Sequence, residues 1–167
     1  MIIFRCRRCR TALTTAVREV PPPPESQTWA PYEAPVEPCP PRMAPGTFAR
    51  DPEPSRFSWP AAPKGFRPPR GTAGPQQGVV LSPGDIRGVE PIERRRTGCC
   101  GPMGIDGPNL ACAGCGAEVA VEAADCCTWQ EIVLDPRFAE PVDAQDGPAG
   151  DPDAGGPDVS RRAGDGP

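Results

Sequence analysis

The sequence predicts a small, mainly β domain that needs a staple, interrupted by a proline-rich stretch and followed by an acidic tail. Three observations predict it. Of 167 residues, 27 are proline and 19 are glycine, a combined share above a quarter, where non-periodic Pro plus Gly marks disorder. Leu, Ile, Val and Phe number only 26, below the roughly one-fifth carried by chains that bury enough apolar surface to offset their ordering entropy. Nine cysteines remain as the covalent or metal staple that so thin a core requires.

Residues 1–20 form an N-terminal strand region with IIFRC followed by TALTTAVREV. Thr14, Thr15 and Val17 favour a strand, although the mixed spacing of Leu13, Val17 and Val20 leaves a helix open over 11–19. Residues 21–78 hold most of the prolines, as in PPPPESQTW and PAAPKGFRPPRGTAGPQQG. Each proline removes a backbone donor and fixes φ, so a disordered insertion or linker is expected there, with no central strand. Its PxxP spacings could serve a proline-reading domain, but in a text this rich in proline they arise by chance.

Order returns over 79–138. GVVLSPGDIRGVEPI predicts a short strand at Val79 to Leu81, a turn over Ser82 to Asp85 and a second strand near Ile86 to Val89. Glycines at 98, 101, 104 and 107 have no strand-then-helix context, so a loop is expected, not a dinucleotide fingerprint. AEVAVEA alternates around Val119 and Val121, and WQEIVL places Trp129, Glu131 and Val133 on one face and Gln130, Ile132 and Leu134 on the other. These two runs are expected to be antiparallel neighbours. Residues 139–167 read as a disordered acidic tail.

Charge is uneven within a net −4. The first 20 residues carry five Arg against Glu19, and 135–167 carry eight acids against three Arg. A basic arm can meet nucleic acid, but a solvated surface and a solvated tail are the commoner cause. The opening MIIFRCRRCR lacks the apolar core of a signal peptide, and no run approaches the ~20 apolar residues of a membrane span. The expectation is a protein of the reducing cytoplasm with no membrane role, in which paired cysteines bind metal or do redox chemistry.

Two cysteine pairs have ligand spacing: Cys6-Arg7-Arg8-Cys9 and Cys112-Ala113-Gly114-Cys115, the second followed by Gly116. Two intervening residues let both sulfurs turn onto one cation, and with no histidine in the chain an all-sulfur zinc site is what remains. Zinc with four thiolates carries a formal −2, which Arg5, Arg7, Arg8 and Arg10 could offset; plain surface charge explains them as well. A rival set joins Cys112 and Cys115 to Cys99 or Cys100, or to Cys126 or Cys127. The 102 residues between Cys9 and Cys112 cost only about 2 kcal/mol more in loop closure than the 11 from Cys100. A structural zinc contributes about 10 to 16 kcal/mol, so entropy leaves the distant pair available. Geometry favours it, because adjacent cysteines in extended chain point to opposite sides. One member of each doublet is expected to face inward as a small hydrophobe, with a second metal site or a thiol–disulfide couple as the other readings. Cys39, among prolines, is expected to be idle.

An apolar residue and CxxC at the start, a long middle, then CxxC-Gly before a strand and a Trp-containing strand together resemble the Yippee-like and cereblon-type (β-tent) zinc modules. That resemblance implies two antiparallel sheets, zinc-ribbon or β-tent-like, clamped by one structural zinc on Cys6, Cys9, Cys112 and Cys115. Members with a ligand cage use several aromatics where this sequence offers Trp129, with Trp29 and Trp59 in the proline-rich region. MIIFRCRRCRTAL, GPNLACAGCGAEVA and DCCTWQEIVLDP are also similar to a group of Cys-rich actinobacterial proteins, which implies a source and no mechanism.

Without histidine, Ser-His-Asp and Cys-His catalysis are excluded in their usual forms, and phosphate-loop, EF-hand and zincin motifs are absent from the sequence. Asp106, Asp125 and Glu131 are expected to be solvated loop and strand-edge acids. The leading expectation is a structural zinc module that binds a protein partner. Its rivals are a thiol–disulfide redox protein using Cys6 and Cys9, and a zinc-stapled nucleic-acid binder using Arg5 to Arg10 and Arg94 to Arg96.

Overall fold

The computed structural model describes residues 1–23, 40–51, 78–126 and 128–145. In these residues the chain forms nine strands and two 3-10 turns, with no α-helix among them. The strands are β1 Ile2–Cys6, β2 Arg18–Glu19, β3 Thr47–Asp51, β4 Gly78–Leu81, β5 Val89–Pro91, β6 Leu110–Cys112, β7 Glu118–Ala123, β8 Glu131–Leu134 and β9 Ala139–Asp143. They build two sheets, a pair β1-β9 and a seven-stranded sheet in the order β2-β3-β4-β8-β7-β6-β5. Only β2-β3 is parallel.

The expected strands at 79–81, 118–123 and 129–134 are present as β4, β7 and β8, and β7 runs antiparallel to β8 with Val121 opposite Val133. Residues 11–19 are extended, not helical, through bridges at Ala12, Thr14 and Val17. The strand expected near Ile86 to Val89 divides: Ile86 makes a lone bridge to Thr14, and the strand starts only at Val89. Gly88 causes the break. It takes φ +56, and a Cβ there would lie 2.3 Å from the Ala12 carbonyl oxygen, so only glycine admits that approach.

Two findings depart from expectation. Inside the proline-rich stretch, Thr47–Asp51 forms a strand between β2 and β4. Pro45 and Pro52 bracket this segment, so TFARD itself keeps every N–H for the ladder. The remainder of that expectation, 24–39 and 52–77, falls outside the described residues. At the other end, Ala139–Asp143 is not tail but strand, paired with β1 from Ile2 opposite Asp143 to Cys6 opposite Ala139. Pro141 is accommodated because β9 has a neighbour on one side only. Residues 146–167 fall outside the described residues.

The large sheet is buried on both faces in its middle. Phe48, Val79, Leu81, Ile132 and Leu134 point to a layer shared with Phe4, Leu13 and Val17, while Ala49, Val80, Val121 and Val133 point to a second cluster with Met43. Alternate residues on β4 and β8 thus serve two cores, so GVVL and EIVL are apolar at nearly every position. Phe4 meets Phe48 edge-on, ring centroids 5.1 Å apart at 88°. That contact ties the small sheet to the large one and adds about 0.5–1.5 kcal/mol beyond burial.

Candidate metal centre

Cys6 closes β1 and Cys112 closes β6, so each CxxC turn leaves the end of a strand, one from each sheet. The two turns have the same backbone. In the first, the Cys6 N–H donates to the Thr11 carbonyl at 2.9 Å and the Arg10 N–H to the Cys6 carbonyl at 2.8 Å; in the second, Cys112 N–H donates to Ala117 at 2.7 Å and Gly116 N–H to Cys112 at 2.8 Å. Even the left-handed residue matches, Arg10 at φ 67 and Gly116 at φ 70. Gly116 frees the chain beside the second sulfur. Arg10 does the same at its own steric cost, the sole non-glycine at positive φ among the described residues.

The result brings together the four thiols expected from spacing. The Cys6, Cys9, Cys112 and Cys115 sulfurs all lie within 4.8 Å of one another and can hold a metal ion. Cys6 approaches Cys115 at 3.7 Å and Cys9 approaches Cys112 at 3.5 Å. A tetrahedral ion with metal–sulfur bonds of about 2.3 Å has sulfur–sulfur edges of roughly 3.8 Å. Cys6 and Cys112 belong to the core between the sheets, with Cys9 and Cys115 half-buried at its margin.

Burial pushes the Cys6 thiol up to about 12, against hydrogen bonds from the Cys9 and Arg8 backbone that act downward. Cys112 is likewise raised by burial, countered by backbone N–H groups including those of Gly114 and Cys115. Cys9 is brought down to about 6, first by the Thr11 hydroxyl, 3.2 Å from its sulfur, and next by the Thr11 backbone. Thr11 and Gly114 carry no motif signal, yet they set how closely the turns meet: a Cβ on Gly114 would lie 2.3 Å from Thr11 Oγ1 and 3.1 Å from Cys9 Sγ.

The arginines around the first pair do something other than face sulfur. Arg7 pairs with Glu140 at 3.2 Å and donates to the Pro136 carbonyl, Arg10 also pairs with Glu140, and Arg5 donates to the Arg10 carbonyl at 3.1 Å. They fasten the turn to β9. Arg95 and Arg96 similarly pair with Glu118 and Glu122 on β7.

The first doublet differs from expectation: Cys99 and Cys100 are both exposed, so neither is a core hydrophobe. In the second, Cys126 is half-buried and Cys127, like Cys39, lies outside the described residues. A hydrogen bond with Cys126 acts downward on Cys99, but Cys100, desolvation and the Asp125 charge leave it raised. Asp125 and Glu131 are 1% and 2% exposed, not solvated as expected, whereas Asp106 is at the surface. Glu131 meets Arg42 at 2.9 Å, and that guanidinium stacks 4.4 Å over Trp129, so the aromatic available for a cage already carries a cation. Trp29 and Trp59 lie outside the described residues.

Among the described residues no helix is long and apolar enough to cross a membrane. Comparison with protein-family models, curated proteins and solved structures returned no match.

Proposed function

We propose that this protein is a structural zinc module, in which one zinc on Cys6, Cys9, Cys112 and Cys115 fastens the small sheet to the large one and so holds up a surface for a protein partner. The observation that carries this reading is the pair of CxxC turns with matching backbone hydrogen bonds, one from each sheet, with sulfurs at 3.5 and 3.7 Å across the pair. Four sulfurs without nitrogen or oxygen ligands suit zinc in a closed structural site, and zinc supplies there a cross-link rather than a reaction. The resemblance to the Yippee-like and cereblon-type modules agrees with this role through the cysteine pattern.

The residues of the chain do the rest. The backbone of Arg8 and Cys9 acts downward on the Cys6 thiol, and that of Gly114 and Cys115 on the Cys112 thiol, which favours thiolate in a site otherwise hostile to charge. Two apolar sheets of so few large side chains gain from such a link what a bigger core would give. A reducing cytoplasm would keep the four thiols available.

One observation favours a second reading. The lowered Cys9 thiol suits exchange with a disulfide, the redox alternative for Cys6 and Cys9. Metal content of the reduced protein by native mass spectrometry, with far-ultraviolet circular dichroism, separates the two for wild type and Cys6→Ser with Cys9→Ser. Zinc lost with the β signal in the double variant is the expected result. A fold that survives complete chelation, or zinc unaffected by the double substitution, would overturn the structural module and leave Cys6 and Cys9 to redox chemistry.

A further inference from the structure

The segment after the second 3-10 turn, Glu93–Arg95, meets the turn between β7 and β8 at a second cluster of sulfur. Cys99, Cys100 and Cys126 bring their Sγ atoms within 4.8 Å of one another, with 3.5 Å from Cys99 to Cys100 and 2.8 Å from Cys99 to Cys126. The buried Asp125 carboxylate organises them. Its Oδ2 accepts the backbone N–H of Cys100 at 3.0 Å and of Gly101 at 3.3 Å, while Oδ1 faces the Cys126 sulfur at 3.3 Å and the Cys99 sulfur at 3.6 Å. Two glycines make the approach possible. A Cβ on Gly98 would lie 2.6 Å from Asp125 Oδ2, and one on Gly101 would lie 2.5 Å from the Ala124 carbonyl oxygen.

We propose that this cluster is a second metal site, an exposed three-thiolate site for a thiophilic divalent cation, with Asp125 as the carboxylate beside it. The charges point that way. An entering ion displaces the thiol protons, and the three thiolates beside the Asp125 carboxylate then carry four negative charges, of which a divalent ion offsets twice what a monovalent one does, while its borderline softness accepts oxygen beside sulfur. Spacing agrees: a tetrahedral ion with bonds of about 2.3 Å to sulfur and 2.0–2.2 Å to oxygen has S···S edges near 3.8 Å and S···O edges near 3.5 Å. The Cys99–Cys100 edge and the two contacts from Asp125 Oδ1 to Cys99 and Cys126 stand close to those values, while Asp125 does not come within 4.8 Å of all three sulfurs and so neighbours the site. The Cys99–Cys126 edge would open by about 1 Å, a side-chain rotation that the exposed Cys99 is free to make.

Exposure sets this site apart from the four-thiol centre. Cys99 and Cys100 face solvent, so water and competing thiols reach the ion from outside. The second site loads and unloads its ion while the first keeps its own.

The test is native mass spectrometry of the reduced full chain titrated with zinc, for wild type, Cys99→Ser with Cys100→Ser, and Cys126→Ser alone. Wild type binds one zinc more than either variant, with the β signal of all three unchanged. That difference of one is independent of what the four-thiol centre holds. Equal zinc counts in wild type and variants overturn the proposal, and a wild type two mass units lighter without reductant would then assign the trio to a disulfide. If a variant loses its fold, release from wild type to excess chelator decides: a fast-released zinc is expected from the exposed site, and zinc that leaves only slowly, or no zinc at all, overturns the site.

Discussion

Gly114→Ala tests how the two cysteine turns meet. Gly114 has no positive φ, so alanine fits its backbone and would by itself stabilise the chain by about 0.4–1 kcal/mol through the unfolded state. Space decides the sign. The new Cβ would lie 2.3 Å from Thr11 Oγ1, 3.1 Å from Cys9 Sγ and 3.4 Å from Thr11 Cβ, and the first of these cannot persist. Overpacking of this kind costs about 1–3 kcal/mol, so the variant is destabilised on balance and its sulfurs are forced apart. Thr11→Ala removes the offending oxygen and leaves the 3.1 Å approach to Cys9 Sγ, which a shift of a few tenths of an ångström relieves, at a cost of about 1 kcal/mol for the hydrogen bond to Cys9. The double variant should therefore be at least as stable as Gly114→Ala alone. Urea denaturation of the four proteins at fixed zinc, with zinc affinity by chelator competition, measures the cycle. Independent addition of the two single effects, within about 0.5 kcal/mol, would refute the reasoning.

Other outcomes follow from single contacts. Arg10→Val should cost about 1–2 kcal/mol more than Arg10→Gly in urea denaturation, because both lose the Glu140 pair while only valine suffers the left-handed backbone. Arg42→Met removes the guanidinium from the buried Glu131 carboxylate and should destabilise by ~3 kcal/mol, with Glu131→Gln in the same background recovering part of it in thermal melts. Asn109, fully buried, donates to the Glu122 carbonyl at 2.8 Å and accepts from the Glu122 N–H at 2.7 Å. Asn109→Ala strands both groups and should cost about 1–3 kcal/mol for each, with faster amide exchange at Glu122 as the local mark. Phe4→Ala should cost about 3–5 kcal/mol and loosen the small sheet first, visible as exchange along β1 and β9.

The four cysteines were legible because a ligand pair is a local pattern: two residues of spacing fix how both sulfurs turn, whatever lies between the pairs. β4, β7 and β8 were legible for the same reason, since their apolar runs are bounded by turns. What composition concealed was pairing between distant segments. TFARD is a few residues inside a proline-rich text, and AEPVD combines acids with a proline; each becomes a strand only because a partner, β4 or β1, supplies the ladder. Asp125 and Glu131 read as surface acids because burial of a carboxylate depends on donors from elsewhere: Cys100 and Gly101 for one, Arg42 for the other. The doublets were visible in the sequence, but their convergence depends on that buried Asp125. Thr11 offered no signal at all, since its role exists only once Gly114 arrives beside it.

The pairing of β1 with β9 bears on how the protein is made. During synthesis β1 and its cysteines emerge well before β9, so the small sheet cannot close until Ala139–Asp143 is available. Cys112 and Cys115 arrive earlier. At 5–20 residues per second, the interval between Cys115 and Ala139 is roughly 1 to 5 s, during which a metal ion can already join the two cysteine turns while β1 still lacks its partner. The four sulfurs can thus meet before β9 supplies the second strand of the small sheet.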